Sequence, residues 1–186
     1  MNALVKANYL IFKLETHDKK CYIQTKSLVG IVDGEIVEKK NKNNKLKKYG
    51  LNNVFLKDGF DNGTIIIQSK KPNIVQLPIK EDKTYCIGQK NLLALDGDLE
   101  IVKKQRGFFS KSQTDNLLYI KGTGNIYIMS NTSKILQFAI KDNKINKFNS
   151  NNVLMFDADL IYNNYKKTRE ENVVSFSGNG MVYFGI

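Results

Sequence analysis

In 186 residues the chain has one histidine, two cysteines and no tryptophan, and it lacks any long apolar run. Each scarcity narrows what the protein can be. With His17 as the sole histidine, a Ser-His-Asp or Cys-His site would have to be built around that residue. Yet it sits in Glu15-Thr-His-Asp-Lys-Lys, a polar turn by pattern. Cys21 and Cys86 form no Cys-x-x-Cys pair and stand alone in strand-like runs, which reads as two reduced packing residues. No stretch approaches the roughly 18 consecutive apolar residues of a membrane helix. The N-terminus offers only Tyr9-Leu10-Ile11-Phe12 between Lys6 and Lys13, too little for a signal peptide. The expectation is a soluble, cytoplasmic protein. No window carries a helical apolar stripe, and the best candidate, Tyr165 to Asn172, has no apolar face.

What is present is short period-two alternation, the pattern of half-buried strands, and a repeat. Val29 to Ile36 (Val-Gly-Ile-Val-Asp-Gly-Glu-Ile) returns as Leu92 to Leu99 and as Val153 to Leu160. The aspartates Asp33, Asp96 and Asp157 lie 63 and 61 residues apart, so three copies of about 62 residues span the chain. Between Gly63–Leu99 and Gly124–Leu160 the offset of 61 holds without a gap, with Ile65/Ile126, Ser69/Ser130, Gln76/Gln137 and Lys83/Lys144 identical. Ile65 and Ile67 should face inward, as should Ile126 and Ile128. The first copy lacks this opening strand. Met181 to Ile186 supplies a match, with Val182 and Phe184 falling where Ile126 and Ile128 fall. The sequence therefore predicts a C-terminal strand that completes the first copy and closes a pseudo-threefold ring with few free edges.

Several of these segments resemble a known family. Gly63-Thr-Ile-Ile-Ile-Gln-Ser, Gly122-Thr-Gly-Asn-Ile-Tyr-Ile-Met-Ser, Glu171-Asn-Val-Val-Ser-Phe-Ser-Gly-Asn-Gly and the Leu-Asp-Gly-Asp tip resemble the mitochondrial-biogenesis AIM-type family. That family shares the fold of the tryptophan RNA-binding attenuation protein. The resemblance implies stacked antiparallel sheets in TRAP-like units and no agreed enzymatic activity. It supplies no catalytic residues, and the attenuation protein's RNA and tryptophan sites are not recognisable in this chain.

The motifs that could carry chemistry read as structure. An Asp-x-Asp or Asp-x-Glu pair (Asp33/Glu35, Asp96/Asp98, Asp157/Asp159) brings two hard ligands where Ca²⁺ or Mg²⁺ wants several. Asp-Gly is also a favoured two-residue hairpin loop, so the tips are expected to be hairpin turns. Gly122-Thr-Gly124 and Gly178-Asn-Gly180 precede strands, lack a third glycine and are not followed by Lys-Ser/Thr, unlike phosphate-binding loops. No catalytic residue, metal ligand or cofactor is expected.

The charge is more informative. The net charge of +11 comes from 29 Lys and Arg against 18 Asp and Glu, and the cations gather after each tip. The first loop holds Lys39, Lys40, Lys42, Lys45, Lys47 and Lys48; the second holds Lys103, Lys104 and Arg106 with Phe108 and Phe109; the third holds Lys166, Lys167 and Arg169, offset by Glu170 and Glu171. Such loops suit an anionic membrane or a phosphate backbone; equally, they keep a β-protein soluble and its edges unpaired.

The expected fold is a single compact all-β domain of three antiparallel sandwich-like repeats (about 1–58 plus 173–186, 59–117 and 118–172), with a β-trefoil or two TRAP-like domains as alternatives. The expected function is a non-enzymatic binding or scaffold protein that presents a basic loop face to a macromolecule or membrane, with a homo-oligomer among its expected states. An RNA-binding protein is the alternative.

Overall fold

Alternation in the sequence becomes alternation of burial. Along Tyr9-Leu-Ile-Phe-Lys-Leu-Glu15, Leu10, Phe12 and Leu14 are buried while Tyr9, Lys13 and Glu15 are exposed, because successive side chains of a strand point to opposite faces. The structure, a computed structural model, describes residues 2–15, 21–38, 50–57, 60–106, 116–142, 144–166 and 172–186. It is all-β, with three short 3-10 turns among the described residues.

The strands are β1 (Asn2–Lys6), β2 (Tyr9–Glu15), β3 (Cys21–Gln24), β4 (Leu28–Val32), β5 (Ile36–Glu38), β6 (Leu51–Leu56), β7 (Asn62–Gln68), β8 (Asn73–Ile79) and β9 (Thr84–Gly88). Then follow β10 (Leu92–Arg106), β11 (Asn116–Ser130), β12 (Ile135–Ile140), β13 (Asn146–Asn149), β14 (Val153–Asp157), β15 (Ile161–Lys166), β16 (Asn172–Ser177) and β17 (Gly180–Gly185). Every pairing with a defined register is antiparallel.

Two compact units divide the chain. The first comprises 1–79, 92–99 and 123–131; the second comprises 80–91, 100–122 and 132–186. In the first unit the sheet β1-β2-β7-β4 packs on strands that include β3, β6, β8 and the unit's portions of β10 and β11. Their shared core contains Leu10, Phe12, Leu14, Ile65 and Ile67 from one layer and Cys21, Ile23, Val54, Leu93, Tyr127 and Met129 from the other. In the second unit the sheet β13-β16-β15 packs on strands that include β12, β17, β14 and β9. Val174 and Phe176 meet Cys86, Val153, Phe156, Val182 and Phe184 there. Phe148, Phe156, Phe176 and Phe184 form an aromatic chain with ring centroids 4.5–6.1 Å apart.

Ile65, Ile67, Ile126 and Ile128 are all fully buried, as their alternation predicts. Three expectations are corrected. Sheets stack without a closed barrel among the described residues, which removes the β-trefoil. The C-terminal strand does not complete the first copy: β17 pairs β12 and β14, setting Val182 opposite Phe138 and Phe156. The place expected for it in the first copy is held by β7, which pairs β2 and β4. Val182 and Phe184 are buried as Ile126 and Ile128 are, but their strand pairs with segments just before it in the chain. Finally, the Asp tips are not hairpins. β4 pairs β7 whereas β5 pairs β6, and β14 pairs β17 and β9 whereas β15 pairs β16. At Asp33 and Asp157 the chain therefore changes sheet. At Asp96 it runs straight on within β10.

Candidate interaction loops and the buried carboxylates

Each basic segment joins two strands that pair with each other. Residues 39–49 link β5 to β6, 107–115 link β10 to β11, and 167–171 link β15 to β16. Lys39, Lys40, Lys42, Lys45, Lys47, Lys48, Phe108 and Phe109 lie outside the described residues. Lys103, Lys104 and Arg106 lie at the C-terminal end of β10, which leads into the 107–115 segment. The bases of these hairpins carry opposite charges across strands: Lys57 pairs with Glu35 beside the β5–β6 ladder, and Lys121 Nζ lies 2.9 Å from Glu100 Oε1 at β10 and β11.

The tip carboxylates part company. Asp157, 4% exposed, ends β14. Its Oδ2 accepts from Lys83 Nζ at 2.8 Å and from the Met181 backbone N–H at 3.1 Å, and its Oδ1 is buried without a hydrogen-bond partner. Lys83 is held protonated above the usual lysine range, chiefly by this hydrogen bond. Tyr85 stands opposite Asp157 in the β9–β14 ladder. Burial, then the neighbouring Tyr183 and Asp157, push its phenol up to about 12. The same strand junction is closed by the Ala158 N–H donating to the Thr84 carbonyl at 2.8 Å.

Asp96, 8% exposed, stands opposite Cys21 in the β10–β3 ladder. The Cys21 thiol is pushed up by burial and then by Asp96, and the Tyr127 phenol by burial, Asp96 and Cys21. The Tyr127 ring meets Phe12 edge-on at 5.0 Å, and its buried hydroxyl has no hydrogen-bond partner. Both cysteines are buried thiols that form no disulfide. Here β10 and β11 approach so closely that only glycine fits. A Cβ on Gly124 would lie 1.9 Å from the Asp96 carbonyl oxygen, and one on Gly97 would lie 2.6 Å from the Thr123 carbonyl oxygen.

Asp33 is exposed at φ 57°. Strand pairing explains the difference. Val32 stands opposite Thr64, one residue before Ile65, while Asp157 follows Phe156, which stands opposite Val182. Since Ile65 and Val182 match, Val32 holds the position that Asp157 holds, and Asp33 falls one residue past it. A one-residue slip sends a strand side chain to the other face.

Reading the carboxylates as turn residues missed Lys83, Tyr85 and Tyr183. The signal was the wholly apolar Val153-Leu-Met-Phe run before Asp157, which marks a strand buried on both faces. Among the described residues no group of three or more His, Cys, Asp or Glu could hold a metal ion, and no helix is long and apolar enough to cross a membrane.

No family model and no curated protein matches the chain. Among solved structures it is similar to protein SPYM3_0169 from Streptococcus pyogenes, a structural-genomics target. The identity is 20% and the TM-score 0.73, over 100% of this chain and 93% of that one. At that identity the likeness is one of fold.

Proposed function

We propose that the protein is a non-enzymatic binding or scaffold protein of the cytoplasm that presents basic hairpin loops to an anionic macromolecule or membrane surface. The observation that carries this reading is the pairing of the flanking strands: each of the segments 39–49, 107–115 and 167–171 joins two strands that pair with each other. Such loops project charge at little cost to the cores behind them. The tip carboxylates, the main alternative seat of chemistry, support structure instead: Asp157 is engaged by Lys83 and Met181.

The same reading includes a modular chain of the TRAP-like, AIM-type kind. Its support is a recurring scheme of pairings. The first module joins β2·β7, β7·β4, β5·β6 and β6·β3. The second joins β8·β11, β11·β10 and β11·β9. The third joins β12·β17, β17·β14, β15·β16 and β16·β13. In each, one 3-10 turn precedes the third strand, at Thr25–Ser27, Gln89–Asn91 and Ser150–Asn152. The basic loops then occupy equivalent positions, between a module's fourth and fifth strands.

RNA is the second reading, favoured by Phe108-Phe109 following Lys103, Lys104 and Arg106 in one hairpin, a pairing of stacking rings with cations that suits single strands. Flotation with vesicles containing anionic lipid and a gel shift with single-stranded RNA, each at low and at high salt, test the proposal. Binding that weakens with salt is expected for one of them. Failure to bind either at low salt sinks both readings. Loss of RNA binding in Phe108→Ala/Phe109→Ala selects the second.

A further inference from the structure

Resting on the modular reading above, the third module lacks a strand that the first possesses. β1 stands outside the recurring scheme. It lies antiparallel along β2, setting Ala3 opposite Phe12 and Val5 opposite Leu10, and both residues pack, partly buried, against the first unit's core. Phe12 and Leu14 of β2 are buried. Their counterparts in the second module at the 63 offset, Val75 and Leu77, are buried too, and the Ile74 N–H that precedes them donates to the Ala7 carbonyl at 3.1 Å. A further 61 residues on, the third module's counterparts are Leu136 and Phe138 of β12. They stand opposite Phe184 and Val182, which belong to the second unit's core, yet they are 48% and 39% exposed. β12 begins its strand order, and among the described residues nothing pairs its other edge.

We propose that this edge of β12 receives an extended segment of another protein as an added antiparallel strand, with apolar residues opposite Leu136 and Phe138 and acidic residues at its ends. The pairing of β1 with β2 is the same arrangement made within the chain. Backbone hydrogen bonds would give the affinity, and the side chains at alternate positions the selectivity.

Strands β1, β4, β5, β13 and β15 also end their orders, so an open edge by itself decides nothing. What sets β12 apart is an inward face left uncovered where both of its counterparts are buried. The strand is also undefended: Ile-Leu-Gln-Phe-Ala-Ile, from Ile135 to Ile140, contains no charge, proline or glycine, the devices that keep an edge unpaired. Covering Leu136 and Phe138 would remove apolar surface from water. Part of the surface is already ordered, because the Phe138 ring meets Phe148 edge-on at 5.4 Å.

Charge selects the ends of the segment. Lys134 is exposed just before β12 and Lys141 just after it, and Lys144 is exposed beyond the turn, where Asp142 is the one acid between the two lysines. Cations at both ends of an uncharged strand favour a segment that is apolar at its centre and acidic at its ends.

A fluorescein-labelled peptide of alternating Thr and Val with Glu at each end is the probe, and fluorescence anisotropy against the intact protein reads its binding. Saturable binding is expected; its absence at the highest attainable protein concentration overturns the proposal. Leu136→Lys should weaken binding about tenfold or more, although the added cation attracts the peptide's acids, while its thermal melt stays that of a folded protein. Equal binding by that variant places the peptide elsewhere and overturns the proposal. N-methylation of alternate amides along one edge of the peptide should abolish binding, and along the other edge should leave it, because an added strand bonds β12 through one edge only. Equal effects overturn strand addition.

Hydrogen exchange identifies the occupant. The β12 amides that do not bond β17 should exchange fast in the protein alone and gain protection with the peptide. Protection in the protein alone that rises with its concentration would mean that a second copy covers the edge, which overturns the proposal. The basic loops are judged apart, since Leu136→Lys keeps all their cations. RNA or vesicle binding that survives in this variant while peptide binding is lost separates the two surfaces; loss of both together would mean one surface serves both, and overturns the proposal.

Discussion

Asp96 in the first unit and Asp157 in the second stand at matching places, each opposite the first residues of a neighbouring strand and each buried, yet they are used differently. Asp157 works through its side chain, gathering Lys83 and the Met181 N–H onto one oxygen. At Asp96 the backbone carries a further constraint, because its carbonyl lies where a side chain on Gly124 would begin. Burial first, and then the Asp96 carboxylate, push up the thiol and phenol beside it. The same short motif thus supplies an electrostatic clasp in one unit and a tight backbone crossing in the other. What surrounds the motif, more than the motif, decides which.

The sharpest way to test this contrast is with glycines. Gly124→Ala places a methyl group on a backbone oxygen, and two paired strands cannot separate to admit it. A loss of about 3 kcal/mol or more is expected, read as a fall in melting temperature or outright failure to fold. In the second unit the matching Gly180→Ala would meet only side-chain atoms, Leu160 Cγ at 3.0 Å and Asp157 Cβ at 3.1 Å, which need give by only a few tenths of an ångström, so about 1 kcal/mol is expected. Equal losses would dissolve the distinction between the two units.

Next in size is Asp157→Ala. It leaves the Met181 N–H and Lys83 without their acceptor, and a loss of about 2 kcal/mol is expected in denaturant unfolding. Removing the lysine instead is milder. Lys83→Met should lose less than about 1 kcal/mol, since the lysine side chain is 40% exposed and its attraction is screened by solvent. If Lys83→Met costs as much as Asp157→Ala, the clasp is a true buried ion pair and not mainly a hold on the Met181 amide.

The pH dependence follows with its sign. Tyr85 holds its proton to about 12 in the folded state but ionises near 10 when unfolded. Between those values the folded state binds more protons, so stability falls as pH rises. Lys83, also raised, acts in the same direction: its contribution is present below the unfolded lysine value and lost as pH climbs through the folded one. Denaturant midpoints measured from pH 9 to 12 should decline, and Tyr85→Phe should flatten the decline in part. An unchanged profile would remove the Tyr85 account.

The core was legible in the sequence wherever alternation was clean. Leu10, Phe12, Ile65, Ile67, Ile126 and Ile128 are buried as their spacing requires, and so are Val182 and Phe184, though the repeat assigned their strand to the wrong neighbours. The candidate site was legible only as composition. Counting lysines finds the loops, but the pairing of their flanking strands had to be seen before they became hairpin loops.

Local sequence by itself determined that this chain is all-β and which faces of its strands are apolar, because period-two burial is a property of one strand at a time. Tertiary structure alone decided which strands meet. It sent β17 to β12 and β14, turned the Asp33 and Asp157 tips into sheet crossings, buried Asp96 and Asp157 and left Asp33 in solvent. Partner choice depends on register between segments far apart in the chain, and a shift of one residue there, invisible in a motif, exchanges the core face for the solvent face.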